Sequence, residues 1–198
     1  MRAILLDADA FRCLHGLKLL DVVLEALASR TPVVVTEYVA RHELSLLGLQ
    51  VTRLEAAGVL SVRQVLKGTP AGQRFREFQR AAARGELAAD KGEAEAVAWA
   101  LDEPWEGRAL FVTRDDGAQK FARGHRVPVT DVMGVVVEAC EVGGLAREVA
   151  ASALAGWDDP EQQLCRPARY AGFDAAYAER LEQRKAWATE QPSKTSPA

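Results

Sequence analysis

The sequence predicts an α/β fold, a three-layer sandwich in which a mostly parallel sheet lies between two layers of helices, followed by a C-terminal helical extension. Two observations support this fold class. Short apolar runs recur along the chain, and segments with helical spacing of apolar residues separate them. Strands that alternate with helices predict a parallel sheet, because parallel neighbours are joined by a crossover connection that is usually a helix.

Four apolar runs are the predicted strands of this sheet. They are AILLD (3–7), VVVT (33–36), ALFVT (109–113) and RVPVT (126–130). The segment 54–66 mixes a short helix with what could be an edge strand. Runs that are apolar throughout indicate strands that are buried on both faces, which is typical of a parallel sheet.

Helical spacing predicts the segments between the strands. The predicted helices cover 17–30, 37–47, 71–89, a segment that begins near Asp90, 115–123 and 131–144. These elements place an α/β domain at 1–155 and an extension at 156–198.

The extension contains one charged amphipathic helix at 173–191, and the polar stretch 192–198 is expected to be disordered. The helix has too few apolar residues for a core helix, and an isolated helix of this length is marginal in water. We therefore expect it to dock on its own domain, on a second protomer or on a partner, with Phe173, Tyr177 and Leu181 as anchors.

Composition limits where the protein works. A chain of 198 residues buries roughly 70% of its unfolded surface, so no disulfide or structural metal is needed. Cys13, Cys140 and Cys165 have no paired spacing, which suggests a reducing compartment and no zinc site. The sequence has no apolar stretch of the length of a signal peptide or a membrane span, so we expect a cytoplasmic protein without membrane contact.

Net charge limits the class of partner. The charge of −3, from 25 basic and 28 acidic residues, argues against a broad nucleic-acid footprint. It leaves room for a local basic patch beside an acidic site.

Acidic residues follow three predicted strands and begin one helix. Asp7 ends the first strand, Glu37 follows the second and Asp115 follows the third. Sites in open parallel sheets form beyond the carboxyl ends of the strands. Glu93, in the stretch DKGEAEAVAWA (90–100), heads the apolar stripe of its helix, and Glu37 heads another. We therefore expect the four acids to converge.

Simpler explanations exist for each acid. Asp90 and Glu93 have the spacing of a capping box. Glu37 could pair with Arg41 four residues on, and Asp115 could cap the following helix. One shared site explains all four acids better than four coincidences.

A divalent cation would resolve the repulsion in such a cluster. Close carboxylates raise one another's pKa, and a bound cation removes that conflict. Oxygen ligands without cysteine or histidine suit Mg²⁺ or Mn²⁺, which activate water and neutralise phosphate charge. The predicted ligands and catalytic residues are Asp7, Glu37, Glu93 and Asp115.

The sequence resembles a PIN domain, the nuclease fold of the VapC-type toxins. The matching segments are ILLDADAF, VVVTEYVARHEL, DKGEAEAVAWAL and FVTRDDGAQKFAR, which carry the four acids in order. RVPVTDVMGVVVEACEVGGL resembles the strand and helix that close the fold in one branch of the family. The resemblance covers nearly all of residues 1 to about 150. The chain departs from the family at Ala8, where Thr or Ser is frequent, at the added Asp9, and in its longer extension.

This resemblance implies a metal-dependent endoribonuclease with the four acids around Mg²⁺ or Mn²⁺. It also implies a homodimer and, for a toxin, a small antitoxin partner. Basic residues near the acids are predicted to bind the RNA, with a solvated helix face as the alternative. They are Lys91, Arg114, Lys120 and Arg123.

Two other functions stay open at this point. LLDADAF also resembles the D-x-D motif of haloacid dehalogenase phosphatases, with Asp7 as nucleophile, Asp9 as general acid, and Asp115 and Asp116 on the metal. That function would leave the two glutamates of the quartet unexplained. The third function is a PIN scaffold without catalysis that binds RNA or a protein partner.

Overall fold

The computed structural model describes residues 2–102, 104–158, 165–167 and 169–189. Its strands form one five-stranded sheet in the order β3-β2-β1-β4-β5, and all neighbours are parallel. They are β1 (Ala3–Leu6), β2 (Val33–Thr36), β3 (Ser61–Arg63), β4 (Ala109–Val112) and β5 (Val129–Thr130). The predicted α/β class with a parallel sheet is confirmed.

Helices connect the strands and pack on both faces of the sheet. They are α1 (Ala8–Gly16), α2 (Leu20–Ala28), α3 (Gly48–Ala56), α4 (Pro70–Ala83), α5 (Lys91–Ala100), α6 (Asp116–Gly124), α7 (Val132–Gly143), α8 (Arg147–Leu154) and α9 (Phe173–Thr189). Every residue of β1, β2 and β4 is buried. None of the helices among the described residues is both long and apolar enough to cross a membrane.

The alternation of side chains along β1 divides the core into two clusters. Ile4 and Leu6 pack with apolar residues of α1, α2 and α7. Ala3 and Leu5 pack on the opposite face with α5 and α6. Successive side chains of a strand point to opposite faces of the sheet. A wholly apolar strand therefore packs against the helices on both faces.

Several boundaries differ from the sequence-based prediction. The helices α1 and α8 were not predicted, and the fourth predicted strand is reduced to Val129–Thr130. The predicted helix at 37–47 is a π-helix at Val39–Glu43 followed by a 3₁₀ turn at Ser45–Leu47. The backbone N–H of Leu44 donates to the carbonyl of Val39, five residues back, at 2.8 Å. This wider turn changes which side chains face the sheet.

The cysteines differ most from expectation. Cys13 in α1 and Cys165 form a disulfide across 152 positions, with 5.6 Å between their Cα atoms. Within the described part of the chain, Cys140 is the free cysteine. The inference of a reducing compartment rested on the absence of paired spacing, and it loses that basis because the fold brings distant positions together.

The helix α9 docks on its own domain through α7, as one of the predicted alternatives states. Tyr177 is buried at 4% exposure, and its hydroxyl donates to Glu141 Oε1 at 2.6 Å. Phe173 and Leu181 are partly buried against the same core cluster. The proposed anchors are therefore in contact with the core. The predicted helix end at 190–191 and the stretch 192–198 lie outside the described residues.

Two arginines of α9 add ion pairs that apolar spacing did not predict. Arg180 donates to both oxygens of Asp131, at 3.0 and 2.6 Å, and Asp131 is the N-cap of α7. Arg184 Nε donates to Glu138 Oε2 at 2.5 Å, and Glu138 is buried at 4% exposure. These contacts fix the rotation of α9 on α7.

Replacing Arg184 by alanine is expected to lower the free energy of unfolding by about 2–3 kcal/mol, because it leaves the buried Glu138 carboxylate without this partner. The matched control is Lys185→Ala on the next residue, whose partner Glu182 is exposed; it should cost no more than about 0.5 kcal/mol. Urea unfolding of both variants gives the comparison. Equal losses would mean that the Arg184–Glu138 pair does not hold α9.

Candidate active site

The order of the strands creates a crevice between the carboxyl ends of β1 and β4. The chain runs from β1 outward to β2 and β3, then returns to the other side of β1 for β4 and β5. Such a reversal leaves the loops after the two central strands on opposite faces of the sheet, with a crevice between them. Asp7 follows β1, and Thr113, Arg114 and Asp115 follow β4.

A buried threonine links the acids at these two strand ends. Thr113 is fully buried, and its Oγ1 donates to Asp7 Oδ2 at 2.8 Å. Thr113 Oγ1 also accepts a hydrogen bond from the backbone N–H of Asp115 at 3.2 Å. Asp115 caps α6 by accepting the N–H of Ala118 at 2.7 Å, and the N–H of Ala8 donates to Asp7 Oδ1 at 2.6 Å. The sequence analysis assigned Thr113 only to a strand.

Burial raises the pKa of Asp7 to about 6, against an ordinary value of 3.8. The hydrogen bonds from Thr113 and Ala8 oppose this shift, and the negative charges of Asp9 and Asp90 add to it. Asp7 is therefore an acid held in a place that disfavours its charge.

Glu93 forms the capping box that its sequence position suggested, and other acids lie near it. Its backbone N–H donates to Asp90 Oδ1 at 2.8 Å, and its Oε2 accepts the backbone N–H of Asp90 at 3.1 Å, which completes a capping box. Partial burial and the negative charges of Asp90, Asp115 and Asp7 together raise its pKa to about 7. Glu93 therefore belongs both to the N-terminal cap of α5 and to the group of neighbouring acids.

Glu43 is the functional candidate that the sequence analysis missed. Partial burial raises its pKa to about 7, the charges of Asp90, Asp7 and Glu93 contribute, and Arg12 opposes them. Its Oε1 lies where a side chain at position 92 would stand, 2.1 Å from an ideal Cβ. Gly92, in the first turn of α5, therefore makes room for the Glu43 carboxylate beside Glu93.

Glu37 lies elsewhere. Its Oε1 pairs with Arg41 at 2.6 Å, which is the simpler explanation considered for it, and it lines a different cleft with Ser45 and Thr52. Regular helical spacing put Glu37 on the inner face. The π-helix at Val39–Glu43 instead turns its last residue, Glu43, toward Asp7 and Asp90.

A second buried acid positions this π-helix. Glu95 is 5% exposed, and its Oε2 accepts the backbone N–H of Tyr38 at 2.8 Å. Tyr38 is the residue before the π-helix begins. Glu95 therefore holds the segment that carries Glu43 against α5.

The predicted basic residues divide between two places. Arg114 and Arg123 line a cleft that also includes Asp115. Lys91 Nζ lies 4.6 Å from the centre of the Tyr38 ring and lines another cleft. Lys120 is exposed on α6.

The acids fit a hard divalent cation in donor type and in charge. Asp7, Glu43 and Glu93 offer carboxylate oxygens, and each has a pKa raised by burial and by neighbouring acids. Among the described residues, however, no three histidine, cysteine, aspartate or glutamate side chains are already grouped to hold a metal ion. Side-chain rotations would have to complete a ligand shell.

The raised pKa values predict that the metal-free protein loses stability as the pH rises from about 4 to about 7. Asp7 binds its proton more tightly in the folded state, with a pKa of about 6 against 3.8. Protonation of Asp7 therefore stabilises the folded state fully below pH 3.8, and this stabilisation is lost as the pH rises past about 6. Asp7→Asn should remove about 3 kcal/mol of the full loss, of which about half falls between pH 5 and pH 8. Chemical unfolding in chelator at pH 5 and pH 8 measures it, and parallel profiles for both proteins would contradict it.

Comparison with known proteins does not assign the chain to a family. No family model matches the chain, and no curated protein matches it. The resemblance seen in the four acidic segments therefore stays a prediction.

Proposed function

We propose that the protein is a metal-dependent endoribonuclease that hydrolyses RNA phosphodiester bonds on a PIN-like fold. One observation carries this proposal. Asp7, Glu43 and Glu93 come from distant parts of the chain, and the negative charge of Asp90 adds to the burial that raises the pKa of each; Asp7 in turn raises the pKa of both glutamates. They lie at the crevice where an open parallel sheet places its chemistry.

The residues divide the work as follows. Asp7, Glu43 and Glu93 would hold Mg²⁺ or Mn²⁺, which supplies an activated water and neutralises charge on the scissile phosphate when it is bound. Thr113 keeps Asp7 in place by donating its hydroxyl hydrogen. The backbone N–H of Asp90 binds one oxygen of Glu93 and leaves the other oxygen for a ligand. Asp115 adds negative charge from the end of β4.

The contacts of Asp9 give no support to the phosphatase alternative. Its side chain is 58% exposed and pairs with Arg12 at 2.9 Å. It does not share the enclosed surroundings of Asp7, where a general acid for an aspartyl-phosphate would act.

The proposal is tested by metal titration together with an RNA cleavage assay. Mn²⁺ at a hundred times its dissociation constant should stabilise the folded protein by about 2.7 kcal/mol, which raises Tm by about 5–10 °C. Cleavage of single-stranded RNA should require Mn²⁺ or Mg²⁺ and stop in chelator. A scaffold without a metal site would show no change in Tm with Mn²⁺. Stabilisation without cleavage would contradict the nuclease but keep the metal site.

The resemblance also implies partners. We propose a homodimer, which light scattering tests, and an antitoxin, whose gene would be a short open reading frame next to this one. Neither is needed for the nuclease proposal.

A further inference from the structure

A cleft of about 610 Å³ opens beside Asp115, between α6 and α9. Residues 165–167, 169 and 170 form part of its wall. The cleft therefore lies between residues of the C-terminal extension and Asp115 at the end of β4. None of the chemistry proposed above uses this extension.

Five arginines and four acidic residues line this cleft, which gives it a formal charge of +1. The arginines are Arg114, Arg123, Arg166, Arg169 and Arg180, and the acids are Asp115, Asp116, Asp131 and Glu179. Arg180 is neutralised by Asp131 at 2.6 Å and by Glu179 at 2.7 Å. Within the described part of the chain, the other four form no ion pair with a carboxylate.

Three of these four arginines have contacts to neutral groups. Arg114 Nη1 lies 3.6 Å from Cys13 Sγ, and Arg123 Nη2 donates to Gln119 Oε1 at 3.0 Å. The Arg166 guanidinium lies 5.5 Å from the centre of the Tyr170 ring. A guanidinium has five N–H donors in a planar fork, so each keeps donors for an anion.

The wall that carries Arg166 and Arg169 is anchored on both sides. Cys165 is buried and joined to α1 by the disulfide with Cys13. Tyr170 packs edge-on against Trp157 with 5.4 Å between ring centroids. Arginines on an anchored segment lose less entropy when they bind a ligand.

We infer that this arginine cleft binds the phosphodiester backbone of single-stranded RNA and leads it to the acid group. The identity of the anion rests on the proposed function. Arginine forks match phosphate oxygens, and the four arginines without an ion pair offer them on a chain of net charge −3. The volume lies within the range of ligand pockets.

Binding is measured by fluorescence anisotropy in chelator, so that no cleavage occurs. The probe is a labelled single-stranded RNA of about 12 nucleotides, within the usual site sizes of single-strand binders. Arg166→Gln with Arg169→Gln should raise Kd about tenfold and reduce the slope of log K against log salt by about 1.4, since two phosphate contacts are lost. The matched control, Arg80→Gln with Arg84→Gln, removes the same charge from exposed positions, one in the last turn of α4 and one at its C-cap, and should change Kd less than twofold.

Additional variants and probes distinguish a lost RNA contact from misfolding, and RNA from DNA as the ligand. Arg166→Lys with Arg169→Lys should keep most of the affinity, and equal Tm values show that the variants fold. DNA of the same sequence presents the same phosphates, and binding of DNA that is tighter than that of RNA would overturn RNA as the ligand. An unchanged Kd in the glutamine pair would overturn the cleft while metal-dependent cleavage still stood. Absence of cleavage by a protein that binds RNA through the cleft would overturn the nuclease alone.

Discussion

Replacing Asp7 by asparagine is expected to lower the rate of RNA cleavage by about a thousandfold, because it removes one of the proposed metal ligands. The fold should survive. Asn can still accept hydrogen bonds from Thr113 and Ala8 through its amide oxygen, and the loss of a disfavoured charge should raise the metal-free Tm. Single-turnover cleavage and thermal unfolding on the same samples check both statements.

A comparison of Glu37, which precedes the π-helix, with Glu43, its last residue, tests the assignment of Glu43 directly. Glu43→Gln should lower cleavage by at least about a hundredfold, because Glu43 lies among the acids. Glu37→Gln should change cleavage less than about threefold, since Glu37 pairs with Arg41 outside the group. The substitutions are chemically identical and six positions apart. If Glu37→Gln is the damaging one, the assignment of Glu43 is wrong.

Removing the Cys13–Cys165 disulfide is expected to lower the free energy of unfolding by about 4 kcal/mol, because the bond closes a loop of 152 positions. For a chain of this size the loss corresponds to about 10 °C in Tm. The double variant Cys13→Ala with Cys165→Ala tests it, and reduction of the unaltered protein should give the same result.

The free cysteine provides the control for this experiment. Cys140 is partly buried on α7 and outside the disulfide. Cys140→Ala should cost no more than about 1 kcal/mol. If reduced and oxidised protein unfold at the same denaturant concentration, the crosslink does not stabilise the fold.

Most of the sheet could be predicted because its strands are apolar on both faces. VVVT matches β2 at every residue, and the runs that contain β1 and β4 each extend one residue too far. Wholly apolar runs bounded by polar residues have few alternatives in a protein of this composition. The helix α1 was missed because it begins directly after β1, with Asp7 serving both as strand end and as N-cap.

The acid group could be predicted only in part, for a geometric reason. Asp7 and Asp115 were found from strand ends, and Glu93 from its place on an apolar stripe. Glu43 was missed because apolar spacing assumes a regular α-helix, and the i to i−5 bond of Leu44 changes the phase of the segment. The disulfide was missed because its two halves share no local pattern.

The hydrogen bonds made by the acids have a consequence for the field around them. Asp7, Asp90 and Asp115 are the N-caps of α1, α5 and α6. Three helices therefore begin at the acid group, and each directs the positive end of its macrodipole, roughly half an elementary charge, toward it. This partial positive charge comes from peptide N–H groups, so it persists at every pH. The backbone thus offsets some of the repulsion between the carboxylates. It also reduces the electrostatic repulsion between the site and a phosphate.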